Sequence, residues 1–130
     1  MSDLKLKPIA VVRNGIRETP DDWDKVQSRL ILDKRYSEGL FKLSHFKHIW
    51  VIFGFHKMRM TELRVHPRHD PEIPFVGVFA SRSPTRPNKL GLTLVKLVSV
   101  KGGVVTVKGL DAFDGSPVFD IKPYEEEIDY

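Results

Sequence analysis

The chain has 130 residues, 41% hydrophobic and 29% charged, which suits one core beneath a soluble surface. It has no cysteine, which excludes disulfides and thiolate metal sites. The net charge of +4 is uneven: the last seven residues hold four acids and no base, leaving 21 bases against 13 acids, or +8, for the rest. A basic body favours polyanions such as nucleic acid, although a solvated surface of ordinary composition reads the same way. The N-terminus has lysines but no apolar stretch, so no secretory signal is expected. The longest apolar run, residues 49–55, is too short to cross a bilayer as a helix, and no membrane association is expected.

In chain order, residues 7–13 alternate around Ile9, Val11 and Val12 and predict a strand, ended by the turn pair Asn14-Gly15. Residues 20–24 read as a loop or short helical turn. A second strand is predicted over 29–34 and a short helix over 37–46. Residues 48–55, rich in aromatic and β-branched side chains, predict a buried central strand, with Gly54 marking a bulge or a close backbone approach. Residues 61–66 alternate and predict another strand, 67–74 a loop with three prolines, and 75–80 a further strand. The strongest hairpin signal is 91–100, then Gly102-Gly103, then 104–108. Asp114-Gly115 marks a turn and 118–122 a last short strand. Short strands at close spacing with little helix predict an all-β fold: a compact single-domain β-barrel with one or two short helices, and an acidic tail at 124–130.

The stretch 78–92 reads Val-Phe-Ala-Ser-Arg-Ser-Pro-Thr-Arg-Pro-Asn-Lys-Leu-Gly-Leu. Pro84 and Pro87 fix their own φ and bias the residues before them towards extended conformations, so Arg82, Arg86 and Asn88 have little freedom. A stiff loop with guanidinium forks suits a small anionic or planar ligand. The alternative is a turn whose arginines fold over its own carbonyls. In the second constellation, 110–124, Asp120 and Lys122 face one side of a strand and Tyr124 follows a rigid proline. Of the five histidines, His56 ends the central strand and can face a cleft, whereas His66, His69 and Asp70 form only a weak metal half-site. No metal is expected.

Both stretches, together with 42–56 (Lys-Leu-Ser-His-Phe-Lys-His-Ile-Trp-Val-Ile-Phe-Gly-Phe-His), closely resemble the TsaA-like (YaeB, TrmO) family, from about residue 8 to 124. The resemblance implies a β-barrel-like domain, a homodimer and S-adenosyl-L-methionine bound near the subunit interface. The implied reaction is methylation of the exocyclic 6-amino nitrogen of threonylcarbamoyl-adenosine beside the anticodon of tRNA, in the cytoplasm. Carried onto this chain, Arg82, Ser83, Pro84, Arg86, Asn88, Leu90, Gly91, Asp111 and Lys122 are expected to hold the cofactor. Arg59, Arg64, Arg68 and Lys89 are expected to meet the tRNA, and Asp120, Tyr124 and His56 are candidates for a general base. The chain departs from the family around 15–20, in part over 64–74, and after Tyr124, where the resemblance implies a short form without the C-terminal extension of many bacterial members. Two other readings stay open: a non-catalytic module binding S-adenosyl-L-methionine or a nucleotide, and a nucleic-acid-binding barrel without cofactor. Against the last, Trp50, Phe53 and Phe55 lie in an apolar run, not on an exposed stacking face.

Overall fold

The computed structural model describes residues 3–130. Six strands close a barrel: β1 (Ala10–Arg13), β2 (Gln27–Leu32), β3 (His48–Gly54), β6 (Leu90–Lys101), β7 (Val104–Lys108) and β8 (Pro117–Pro123), in the spatial order β1-β2-β7-β6-β3-β8. Two short strands, β4 (Arg64–Val65) and β5 (Val76–Gly77), pair only with each other. The one α-helix among the described residues is α1 (Glu126–Asp129), a single turn in the acidic tail.

Every neighbouring pair in the barrel is antiparallel. Strand direction therefore alternates around the ring: β1, β7 and β3 run one way, β2, β6 and β8 the other. It follows that the connections leaving β1, β3 and β7 (residues 14–26, 55–89 and 109–116) all emerge at one rim. This topology gathers the stiff Arg/Pro loop, His56 and Asp111 at the same end of the barrel.

The core follows the period of two along each strand. Val12, Leu30, Ile49, Val51, Phe53, Val95, Val105, Val107 and Val118 are buried inside. Each such side chain stabilises the fold by ~1.5–3 kcal/mol, so the barrel carries the stability and the rim loops are free to be shaped by polar contacts. At Gly91 a Cβ would lie 2.5 Å from the Phe53 ring, so the missing side chain makes room for that ring. Across β3 and β8 the register shifts between Ile52 and Phe53. Phe119, left out of the register with β3, and Pro117 then close over Gly54, where a Cβ would meet each at 3.0 Å. The close approach expected at Gly54 is thus made by side chains of β8.

Five elements differ from the sequence reading. The first strand starts at Ala10, three residues later than expected over 7–13. The second strand starts and ends two residues earlier than 29–34, because Asp33 accepts from the Arg35 backbone N–H and caps a 3-10 stretch, Lys34–Leu40. The helix expected over 37–46 is replaced by that stretch and a second one, Leu43–His45, separated by Lys42 in the left-handed region at φ 67°. The strand over 61–66 shrinks to β4. The strand over 75–80 is β5 followed by a 3-10 turn, Val78–Ala80. Periodicity alone did not reveal that these segments lack a barrel neighbour: Phe75 and Phe79 stay exposed, at 60% and 78%. The hairpin β6–β7 and its Gly102-Gly103 turn, with φ of 57° and 79°, are as expected.

Candidate functional site

A cleft of about 290 Å³ opens at the rim, lined by Phe53, Phe55, Phe79, Ser81, Arg82, Arg86, residues 90–93 and Asp111. One wall is the loop 81–89, which is held by its own side chains. Ser81 Oγ donates to the Val78 carbonyl at 2.8 Å and accepts from the Ser83 N–H at 3.3 Å. Arg86 Nη1 donates to the carbonyls of Ser81 (2.8 Å) and Ser83 (3.2 Å). Lys89 Nζ donates to the Arg86 carbonyl at 2.6 Å and to Thr61 Oγ1 at 2.7 Å. Thr85 is buried, its hydroxyl 2.8 Å from that of Ser83. Of the two sequence readings of Arg86, the loop-tying one is present. A guanidinium has five N–H donors, however, and Arg86 still borders the cleft.

Arg82 reaches across the cleft, with Nη1 donating to the Leu92 carbonyl at 3.0 Å. Asp111 stands on another wall, where one carboxylate oxygen accepts from Thr93 Oγ1 at 2.5 Å. The cleft therefore combines two guanidinium groups, one carboxylate and three aromatic rings. That set suits a zwitterion with a planar part: cations for a carboxylate, an anion for an ammonium or a diol, and rings for a π-face.

His56 lies just beyond β3 and faces a neighbouring hollow of about 390 Å³ with Asn88, Lys89, Met58 and Phe119. Phe55 and Leu90 border both spaces. Ser116 Oγ donates to the Phe113 carbonyl at 2.7 Å, which spends its hydrogen. The contact between His56 Nδ1 and Ser116 Oγ at 3.3 Å is then made by a ring N–H, and Nε2 carries the lone pair. Burial, and behind it the charges of Lys57 and Arg59, lower the His56 pKa, with Asp114 opposing. His56 is thus a neutral imidazole with one nitrogen free to accept.

The structure does not bring all the expected site residues together. Arg82, Arg86, Leu90, Gly91 and Asp111 share the cleft, and Asn88 and Lys89 line the His56 hollow. Ser83 and Pro84 border a further cavity with Arg68. Arg59 and Arg64 are exposed nearby in the same long connection. Asp120, Lys122 and Tyr124 lie elsewhere within the chain. Asp120 and Lys122 form an ion pair at 3.2 Å on the outer face of β8, and Tyr124 packs on Trp50 with ring centres 6.3 Å apart. The strand β8 runs away from the rim at roughly 3.3 Å per residue, which separates Tyr124 from His56. Leu92, Ile52 and Asp120 are nevertheless aligned across three strands, as are Leu94, Trp50 and Lys122.

Six lining residues fall outside the expected site set: Phe53, Phe55, Phe79, Ser81, Leu92 and Thr93. Phe79 falls within the strand expected over 75–80. Thr93 points inward in β6, and a polar residue at an inward position was the available signal. Among the described residues no three His, Asp or Glu side chains converge as a metal site. His66 Nδ1 is committed to the Ile73 carbonyl at 2.8 Å.

Residues 11–130 match the tRNA-methyltransferase O N-terminal domain. The chain belongs to this family. A probable S-adenosyl-L-methionine-binding protein of Methanothermobacter thermautotrophicus is 39% identical over 99% of this chain and 97% of its own length. The human tRNA (adenine(37)-N6)-methyltransferase is 40% identical over 90% of this chain but only 28% of its own length. The crystal structure of TrmO from Pseudomonas aeruginosa superposes with a TM-score of 0.79 at 28% identity, covering all of this chain and 58% of that one. Another TrmO crystal structure gives 0.81 over 98% of this chain and 60% of its own. The TrmO N-terminal-domain fold accordingly extends over the whole chain, which spans about three-fifths of those solved structures.

Proposed function

We propose that this chain binds S-adenosyl-L-methionine in the Arg82–Arg86–Asp111 cleft. We further propose that it directs methylation of the exocyclic 6-amino nitrogen of threonylcarbamoyl-adenosine beside the anticodon of tRNA. One observation carries the reading: the Ser-Arg-Ser-Pro-Thr-Arg-Pro-Asn segment on which the family resemblance rests is also the wall of the rim cleft. The donor set fits the cofactor. Arg82 and Arg86 suit its carboxylate, the open oxygen of Asp111 suits an ammonium or ribose diol, and Phe79 offers a face for the adenine. When bound, the cofactor supplies an activated methyl group on a sulfonium. The chain's own part is positioning: the loop 81–89 is braced before any ligand arrives, so little ordering is left for binding.

The acceptor nitrogen must lose a proton, and His56 Nε2, Asp120 and Tyr124 are the candidates. His56 reaches the rim in its own chain. Asp120, Lys122 and Tyr124 would serve a cleft only from a second copy, which favours a homodimer. The outer face of β3 and β6 supports that assembly: Trp50 and Ile52 lie beside Leu92 and Leu94, which are 42% and 38% exposed, in a band next to the cleft. Arg59, Arg64, Arg68 and Lys89 supply positive charge for tRNA phosphates on the same connection. A tRNA substrate places the protein in the cytoplasm. No helix among the described residues is long and apolar enough to cross a membrane. Residues 1–130 act as one domain in this proposal.

The test is calorimetry with S-adenosyl-L-methionine, followed by single-turnover methylation of unfractionated tRNA. Binding with transfer supports the proposal, and no binding overturns it. Binding without transfer favours the second reading, a non-catalytic module. That reading draws on the name of the Methanothermobacter relative, which is matched over 97% of its own length and is named for binding alone. The dimer is tested with Leu94→Glu, which should convert a dimer to a monomer in light scattering. A wild-type monomer at micromolar concentration overturns the shared cleft.

A further inference from the structure

Beside the cleft lies a second cavity of about 370 Å³ between residues 66–69 and 81–84. Its lining is one-sided. Arg68, Arg82, His66 and His69 border it with Ser83, and no carboxylate does. Among the described residues neither Arg68 nor Arg82 has a carboxylate within ion-pair distance. Two guanidinium groups on one cavity wall without a carboxylate favour an anion between them.

The cluster is also built at a conformational cost. Arg68 (φ 57°, ψ 23°) and His69 (φ 57°) occupy the left-handed region one after the other. A non-glycine residue there costs ~1–2 kcal/mol, and strain of this kind gathers where a backbone presents side chains for use. Two 3-10 hydrogen bonds hold the turn: the His69 N–H to the His66 carbonyl and the Asp70 N–H to the Pro67 carbonyl, both 3.1 Å. His66 is fixed by its 2.8 Å bond to the Ile73 carbonyl and by stacking on Phe75 at 3.8 Å. From the other side Arg82 enters with one nitrogen on the Leu92 carbonyl and its remaining donors uncommitted. Ser81 and Arg82 border both this cavity and the cleft.

The geometry points to a phosphate subsite: the cavity takes one backbone phosphodiester of a single-stranded RNA loop, and Arg82, the shared wall, couples its occupancy to that of the cleft. A phosphodiester offers acceptors only, which matches a lining of donors. A single-stranded loop can bring a phosphate here while its unstacked base enters the adjoining space, which a duplex cannot do without unpairing. This inference rests on RNA being the substrate, and it adds where one phosphate sits and which residue links it to the cofactor.

The experiment is fluorescence anisotropy of a labelled RNA stem-loop with a seven-nucleotide, adenosine-containing loop, over a salt series. Wild type, Arg68→Ala and Arg82→Ala are compared, with circular dichroism to check folding and calorimetry to follow S-adenosyl-L-methionine. Arg68→Ala should flatten the plot of log K against log salt by about 0.7, the value of one single-strand phosphate contact, and leave cofactor affinity within twofold. Arg82→Ala should flatten it similarly and weaken the cofactor at least fivefold. An unchanged slope in Arg68→Ala overturns the subsite, and so does an Arg68→Ala that weakens the cofactor as much as the RNA. If wild type binds no RNA, the substrate reading fails by itself. The cavity is then probed with inorganic pyrophosphate by amide NMR: shifts confined to 66–69 and 81–84 sustain an anion subsite, and none overturns it.

Discussion

Two polar knots stand at the same rim and are tied differently. The loop 81–89 is bound mostly to itself: Arg86 to Ser81 and Ser83, Lys89 to Arg86, Ser83 to Thr85. The knot around Asn14 joins segments about a hundred residues apart. Asn14 Nδ2 donates to Ser28 Oγ and to the Ala112 carbonyl, both at 2.9 Å, and its Oδ1 accepts from the Ile16 N–H at 2.8 Å. Asp114 Oδ1 accepts from the N–H groups of Asn14 (2.9 Å) and Gly15 (3.1 Å). The local knot shapes a surface without holding the barrel together. The long-range knot closes the seam where β1 meets β2 and the turn leading into β8. Polar side chains thus serve presentation in one place and stability in the other.

The largest effect that would test this contrast is on stability. Asn14→Ala leaves the buried Ser28 hydroxyl and the Ala112 carbonyl without their donor. At ~1–3 kcal/mol per stranded group, urea unfolding should show a loss of about 3 kcal/mol, with ligand affinity per folded molecule unchanged. A loss under about 1 kcal/mol would erase the distinction between the knots.

Arg86→Lys probes the other side. Lysine keeps the charge but lacks the planar fork that lets Arg86 hold both carbonyls through Nη1 and keep further N–H groups for the cleft. Cofactor affinity should fall at least tenfold in calorimetry while unfolding free energy falls by about 1 kcal/mol or less. The sequence leaves two readings of Arg86 open, a ligand contact and a fold over the carbonyls of its own turn. The observed contacts make both effects arise together, because the arginine that borders the cleft also braces its wall. Unchanged affinity with a lower melting temperature would leave only the brace.

Acid should act on the long-range knot. The Asp114 carboxyl is held below its ordinary value, first by the Asn14 N–H and then by the Gly15 N–H, against the opposing effect of burial, with Arg13 and Arg17 adding less. A depressed carboxylate contributes stability that is complete above its unfolded value, near pH 4, and is lost as pH falls through the folded value. Melting temperature should therefore decline below about pH 4, and Asp114→Asn should decline less steeply over the same interval. Parallel curves would show that the carboxylate charge contributes nothing to the seam.

The smallest effect concerns His56, which stands between the knots. Its NMR titration midpoint should lie below that of a free histidine, mainly through burial. As its folded value is the lower one, the unfolded chain takes the proton first, so this group's contribution is present at neutral pH and fades on acidification. Ser116→Ala removes the Nδ1 acceptor, and 15N shifts should then report a mixture of tautomers where wild type shows one. A single tautomer retained in the variant would mean that Ser116 does not orient the ring.

Where local chemistry suffices, the sequence determined the outcome. Period-two alternation identifies β1, aromatic and β-branched richness identifies β3, and the hairpin signal identifies β6 and β7. Gly102-Gly103 and Asp114-Gly115 mark their turns because those backbones need positive φ, observed at all but Asp114. The stiffness of 81–89 follows from its prolines, and the family motif pointed to the same wall of the cleft. Tertiary structure alone decided the rest. The segments 61–66 and 75–80 have strand-like sequences but no barrel neighbour, so they make two-residue strands, and Phe79 is left out over the cleft. Asp120, Lys122 and Tyr124 belong to the second stretch that carries the resemblance and are expected to serve the same site as the loop. Strand direction instead carries them down the outer wall, since an antiparallel strand that starts at the rim must end away from it. The pairing of Arg68 with Arg82 across a cavity, and of His56 with Ser116, joins residues 14 and 60 positions apart. The first depends on β4 folding back onto β5 and the second on β8 pairing beside β3, and no local pattern encodes either.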